Sequence, residues 1–74
     1  MPPQDTPVRT AQDLGALLRQ RRMSMKLTQA QLAGLSGLSH KFIIDVEHGK
    51  PTAEFDKVLQ LAATLGIDLI ARGR

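Results

Sequence analysis

The stretch from Leu27 to Gly49 reads LTQAQLAGLSGLSHKFIIDVEHG, and its punctuation decides the fold. Thr28 can cap a helix, Gln31 stands three places on to complete a capping box, and Leu27 can act as the hydrophobic staple before them. The helix so opened carries Leu32, Ala33 and Leu35 and stops near Ser36-Gly37. Ser39 offers a new cap almost at once. Residues 40–48 then form a second short helix with Ile43, Val46 and Phe42 turned inward, and Gly49 is a natural left-handed terminator.

Two short helices joined by a turn of about three or four residues that contains Gly are the geometry of a helix-turn-helix. The spacing sharpens this. Counting from Gln29, a small residue falls at the fifth place (Ala33), Gly at the ninth (Gly37), and β-branched residues at the fifteenth and eighteenth (Ile43, Val46). Ala33 must be small because the second helix crosses closely over it. Gly37 can take the positive φ of a sharp turn. Ile43 and Val46, three apart, turn one face of the second helix into the core and leave the other free.

Upstream, residues 1–9 hold three of the four prolines and no helical period, so they read as a flexible arm. Thr10 with Asp13 is a capping pair, and Leu14, Leu17, Leu18, Arg21 and Met25 recur at three and four. The first helix therefore carries Arg19, Arg22 and Lys26 off its apolar stripe, with Met23 and Met25 expected to fill the core. Downstream, Pro51-Thr52 opens a fourth helix in which Phe55, Val58, Leu59, Ala62 and Leu65 form one face, and Gly66 ends it. Residues 67–72 are short and rich in Ile and Leu, so they read as a strand. Its apolar edge of Ile67, Leu69 and Ile70 invites a partner strand, and the same strand of a second copy would serve. The division is thus an arm (1–9), a folded domain (10–66) and a dimerisation strand (67–74).

Composition narrows the functions. With 74 residues the chain affords one small domain, which is marginal alone and often gains stability by oligomerising. There is no Cys, so a disulfide scaffold, a Cys-based zinc site and thiol catalysis are excluded. His40 and His48 have no nearby partners to complete a metal site, and no cofactor is expected. No nucleophile–base set or carboxylate pair suggests an enzyme. No apolar run spans a bilayer, and the amino terminus lacks the pattern of a signal peptide, so a cytoplasmic, nucleoid-associated protein is expected. Lys and Arg total 10 against 7 Asp and Glu, and the excess lies before Leu27. That permits nucleic-acid binding without demanding it.

Leu27-Thr28-Gln29-x-x-Leu32-Ala33, Gly37-Leu38-Ser39 and Val46-Glu47-His48-Gly49-Lys50 together resemble the Cro and phage-repressor (XRE) class of helix-turn-helix DNA-binding domains, over about residues 10–66. More narrowly, residues 42–52, then Phe55-Asp56-Lys57-Val58-Leu59 and a strand straight after Leu65-Gly66, are similar to HipB-type antitoxins. The expected fold is all-α: a compact four-helix, lambda-repressor-like helix-turn-helix domain with a short C-terminal β-strand pairing across a dimer. The resemblance implies that Gln29 bonds a phosphate and braces the recognition helix. It implies that Arg22 can pair with Glu47 as a scaffold salt bridge, beside or instead of a phosphate contact. It further implies a HipA-type Ser/Thr kinase toxin as partner.

In a helix-turn-helix the second helix enters the major groove and its amino-terminal residues reach base edges. Here those are Ser39, His40, Lys41, Ile44 and Asp45. Lys41 can donate to guanine, His40 can donate or accept, and Ile44 can pack on a thymine methyl. Asp45 would be repelled by phosphate and is better suited to a cytosine amine or to a neighbouring basic side chain. The phosphate set is Arg22, Lys26, Thr28, Gln29 and Lys50, with Arg9 a further candidate and the Thr28-Gln29 helix start adding its dipole. Each basic residue has a plainer reading as a solvated side chain, including the Arg19-Gln20-Arg21-Arg22 cluster. The function expected is a homodimeric, sequence-specific repressor of a palindromic operator on double-stranded DNA, in the role of an antitoxin autoregulating a HipBA-like toxin–antitoxin operon. The alternatives are a phage-type repressor, a restriction–modification controller, or an interaction module that neutralises a kinase toxin without important DNA binding.

Overall fold

The computed structural model describes residues 5–74. Four helices follow one another: α1 (Ala11–Ser24), α2 (Gln29–Ser36), α3 (His40–Glu47) and α4 (Phe55–Thr64). The caps are those the side chains favour. Thr10 Oγ1 accepts from Asp13 N at 3.0 Å, and Ser39 Oγ from Phe42 N at 3.0 Å. The Thr28–Gln31 pair makes both bonds of the capping box, at 2.8 and 3.0 Å. Helices α1, α3 and α4 all end in Schellman turns, in which the second residue past the cap bonds back into the last turn: Leu27 N to Arg22 O, Lys50 N to Asp45 O, and Ile67 N to Ala62 O. The left-handed position is Gly49 in α3 and Gly66 in α4, but in α1 it is Lys26, at φ 59°.

Leu18, Leu32, Ile43, Leu61 and Leu65 are fully buried, with Val46, Val58 and Ala62 around them. Every helix contributes, and α3 packs between α1 and α2. Side chains also tie helix ends together. Arg21 Nε donates to Leu65 O at the end of α4 (2.8 Å), and Gln60 Nε2 to Ser36 O at the end of α2 (2.7 Å). Both satisfy carbonyls that a helix end leaves open.

Several expectations change. Pro51 and Thr52 lie in a turn, and α4 begins only at Phe55. Its inward face is therefore Val58, Leu61, Ala62 and Leu65, while Phe55, at the first position, is 63% exposed and Leu59 is also exposed. Met23, Met25 and Leu35 are exposed rather than core. Arg22, expected off the apolar stripe, is buried. Residues 67–74 form no strand in the single chain, since a ladder needs a second strand and none lies beside them. Ile67 instead packs on the core as the hydrophobic residue of the α4 Schellman turn. Of the expected arm, residues 1–4 lie outside the described residues, and 5–9 have no regular structure. Asp5 and Arg72 form an exposed ion pair between that segment and the C-terminal one.

Candidate nucleic-acid interface

Helices α2 and α3 meet across Gly37-Leu38-Ser39, and Gly37 takes φ 74°, so the sharp turn uses the conformation that favours glycine. Packing Ile43 and Val46 inward turns the opposite face of α3 out. His40 and Lys41 on that face are exposed, and Ile44 and Asp45 are half-buried. Ser39, exposed at the start of the helix, spends its oxygen lone pair on the cap and keeps a hydroxyl proton to donate. All five expected base-reading residues therefore lie together at the first two turns of α3.

Behind this face runs a hydrogen-bonded chain. Arg22 reaches from α1 with Nε to Glu47 Oε2 (2.7 Å) and Nη2 to Glu47 Oε1 (3.1 Å), and its Nη1 donates to Leu27 O (2.7 Å). Gln29 Nε2 donates to the same Glu47 Oε1 at 3.0 Å. A carboxylate can only accept, so Gln29 must point its amide nitrogen inward and its oxygen outward, where it meets His40 Nε2 at 3.4 Å. Burial pushes the Glu47 carboxyl up, but the hydrogen bonds from Arg22 and Gln29 outweigh it and hold the group below its ordinary value. Glu47 therefore stays ionised at neutral pH. Its pair with Arg22 joins α1 to the end of α3, and through Gln29 it reaches His40 in the first turn of α3.

Arg22 is thus committed to Glu47 and Leu27, the scaffold role the sequence left open. Gln29 stands at the first position of α2, half-buried. The capping box takes up the amides of Thr28 and Gln31, so of the four first-turn donors those of Gln29 and Ala30 are left to face an anion. Lys26 and Lys50 both sit just past helix ends and are exposed. Asp45 Oδ2 accepts from Lys41 Nζ at 3.0 Å and lies 3.7 Å from Lys50 Nζ. The Lys41 hydrogen bond, then the charges of Lys41 and Lys50, hold the Asp45 carboxyl below the usual range. Arg19, Gln20, Gln29 and His48 line a groove over Glu47 that the sequence did not single out. Among the described residues, no three His, Asp or Glu side chains gather as a metal site, and no helix is long and apolar enough to cross a membrane.

The arrangement is that of a helix-turn-helix family, described as helix-turn-helix domain, whose sequence pattern matches residues 13–73. A curated relative is 48% identical over 68 residues, spanning 89% of this chain and 90% of its own. It is the uncharacterized HTH-type transcriptional regulator y4mF of Sinorhizobium fredii (strain NBRC 101917 / NGR234). The chain belongs to the helix-turn-helix family of transcriptional regulators. This is a family of DNA-binding regulators, not of enzymes, and its XRE branch is the one the sequence resembled.

Two solved structures share the helix-turn-helix fold. A HipB variant in complex with an O2 20mer superposes with a TM-score of 0.86 over 95% of this chain and 97% of that one, at 16% identity. The restriction-modification controller protein C.AhdI from Aeromonas hydrophila gives a TM-score of 0.69 over 78% of this chain and 84% of its own, at 34% identity. The all-α, four-helix helix-turn-helix architecture expected from the sequence is the one observed.

Proposed function

We propose that this regulator is a homodimeric repressor that binds a palindromic operator in its own promoter, in the cytoplasm at the nucleoid, as the antitoxin of a HipBA-like operon. The observation that carries the DNA-binding part is the outward face of α3, braced from behind by Arg22, Glu47 and Gln29. Ser39, His40, Lys41, Ile44 and Asp45 read base edges in the major groove. Lys26, Thr28, Gln29 and Lys50 hold the backbone, and Arg22 acts through Glu47 and Gln29 rather than on phosphate.

Dimerisation rests on residues 67–70. Ile70 is 73% exposed and Leu69 is exposed beside it. Pairing this segment with its twin would cover the two side chains and supply the missing ladder. A two-fold dimer would set its recognition helices about 34 Å apart, matching successive major grooves. The likeness of fold to a HipB–O2 20mer complex supports the antitoxin reading, with a HipA-type Ser/Thr kinase toxin as partner and co-repressor. The 34% identity to C.AhdI supports a second reading, a controller of a restriction–modification system, with the same DNA chemistry.

Fluorescence anisotropy against the chain's own upstream DNA and a scrambled duplex, over a salt series, tests the proposal. Tight binding that separates the two duplexes and weakens with salt is expected. Equal, weak binding to both would instead favour a module that neutralises a kinase without important DNA binding.

A further inference from the structure

Asp45 is the acidic member of an otherwise neutral or basic outer face on α3. One of its oxygens holds Lys41 Nζ at 3.0 Å and draws Lys50 Nζ to 3.7 Å. The pairing is built into the fold. Lys41 stands four residues before Asp45 on the same helix, and Lys50 is brought alongside by the Schellman turn, whose Lys50 N–Asp45 O bond is 3.0 Å. The Asp45 side chain is 27% exposed, against 80% for Lys41 and 51% for Lys50, so it is the most covered of the three.

We infer that Asp45 is a specificity-determining residue that restrains Lys41 and Lys50 and so suppresses binding to DNA of the wrong sequence. This inference rests on the DNA-binding reading above. Non-specific binding comes almost wholly from cations neutralising phosphates. On such DNA each lysine must leave Asp45 to reach a phosphate, and a bare carboxylate then faces a polyanion. Both effects oppose binding to every sequence alike. Only a base edge that donates can offset them. The exocyclic amines of cytosine and adenine do so in the major groove, and an ionised carboxylate accepts from them. Asp45 thus weakens binding everywhere and weakens it least where such an amine lies beneath it.

The test is Asp45→Asn, which keeps size and removes charge, measured by anisotropy against the chain's own upstream DNA and a random duplex over a salt series. Circular dichroism confirms that each variant is folded. Affinity for random DNA should rise about three- to tenfold, its log–log salt slope should steepen by about one, and the ratio between the two duplexes should fall. In a Lys41→Gln, Lys50→Gln background the same change should have a smaller effect, because only the repulsion between the carboxylate and the phosphates is then left to relieve. An unchanged or improved ratio in Asp45→Asn would overturn the inference, as would a gain that persists in full without the lysines. If the unaltered protein fails to distinguish the duplexes at all, the DNA-binding proposal fails and this inference with it.

Discussion

The carbonyl oxygen of Val46 occupies the space that a Cβ on Gly15 would need, and the carbonyl of Glu47 stands 3.1 Å from the same point. Helix α1 therefore crosses the end of α3 backbone against backbone. Gly49 makes a similar approach to α1, where a Cβ would come within 2.8 Å of Gln12 Cα. Across this close crossing Arg22 Nε donates to Glu47 Oε2 at 2.7 Å.

Gly15→Ala should therefore force the two helices apart. Backbone atoms cannot turn aside as a flexible side chain can, so the loss should be about 2–3 kcal/mol, as for an overpacked core. Chemical denaturation at neutral pH measures it. Stability equal to that of the parent would mean that α1 does not cross α3 this closely.

The same substitution at Gly34 should have the opposite sign. Gly34 is inside α2, and nothing lies within 4 Å of where its Cβ would go. Alanine there restricts the unfolded chain and favours helix, so Gly34→Ala should add about 0.5–1 kcal/mol. A rise in Tm is expected, and a fall would defeat the argument from helix propensity.

Acid should act through Glu47. Hydrogen bonds from Arg22 and Gln29 keep its folded-state pKa below the ordinary value despite burial. The folded state therefore binds this proton less readily than the unfolded chain. Its stabilisation is complete above the unfolded value, near 4.5, and is lost as pH falls through the folded value. Glu47→Gln should cost about 3 kcal/mol at neutral pH, because it leaves the Arg22 charge buried without its partner. It should also flatten the decline in urea midpoint below about pH 4.5. An equally steep acid decline in the variant would show that other carboxylates carry it.

The signals that were legible in the sequence were local ones. Thr10, Thr28, Ser39, Gly37 and Gly49 each announce a cap or turn by chemistry that needs no tertiary context, and the helices they bound are those observed. The outward face of α3 followed, since burying Ile43 and Val46 leaves only one way for Lys41 and Asp45 to point. What was not legible depends on neighbours. Pro51-Thr52 resembles a helix start, yet the chain first turns back toward the core, and Phe55 falls outside. Gly15 gives no sign in the sequence of the α3 end that lies across it. Arg21 and Gln60 gave no sign of capping distant helices, because their acceptors, Leu65 and Ser36, are 44 and 24 residues away.

Lys26 separates stability from binding in one residue. It holds the left-handed position past α1 at φ 59°, which a side chain makes costly and glycine adopts freely. Lys26→Gly should stabilise the fold by about 1 kcal/mol and, if the ammonium meets a phosphate, should reduce the log–log salt slope by about one while weakening all sequences alike. Thermal melts and salt-dependent anisotropy read the two effects independently. An unchanged slope would remove Lys26 from the phosphate set without touching the conformational result.

Lys41 is the residue whose loss tests the proposed base reading most directly. It is exposed, it stands in the first turn of α3, and its ammonium lies 3.0 Å from Asp45 rather than in any core contact. Removing it should leave the fold intact, because an exposed ion pair contributes at most about 1 kcal/mol. If it donates to guanine in the major groove, Lys41→Ala should weaken operator binding by about 1–3 kcal/mol, while affinity for random DNA falls much less. If it meets only phosphate, both affinities should fall together. His40→Ala provides the contrast. His40 touches Gln29, so its loss should weaken binding partly by freeing that amide to rotate, and His40→Gln, whose amide nitrogen can take the place of Nε2, should restore part of the effect by supplying a donor to the Gln29 oxygen. At Lys41 the matching change is Lys41→Gln, which keeps a donor but removes the charge, and it should also weaken operator binding.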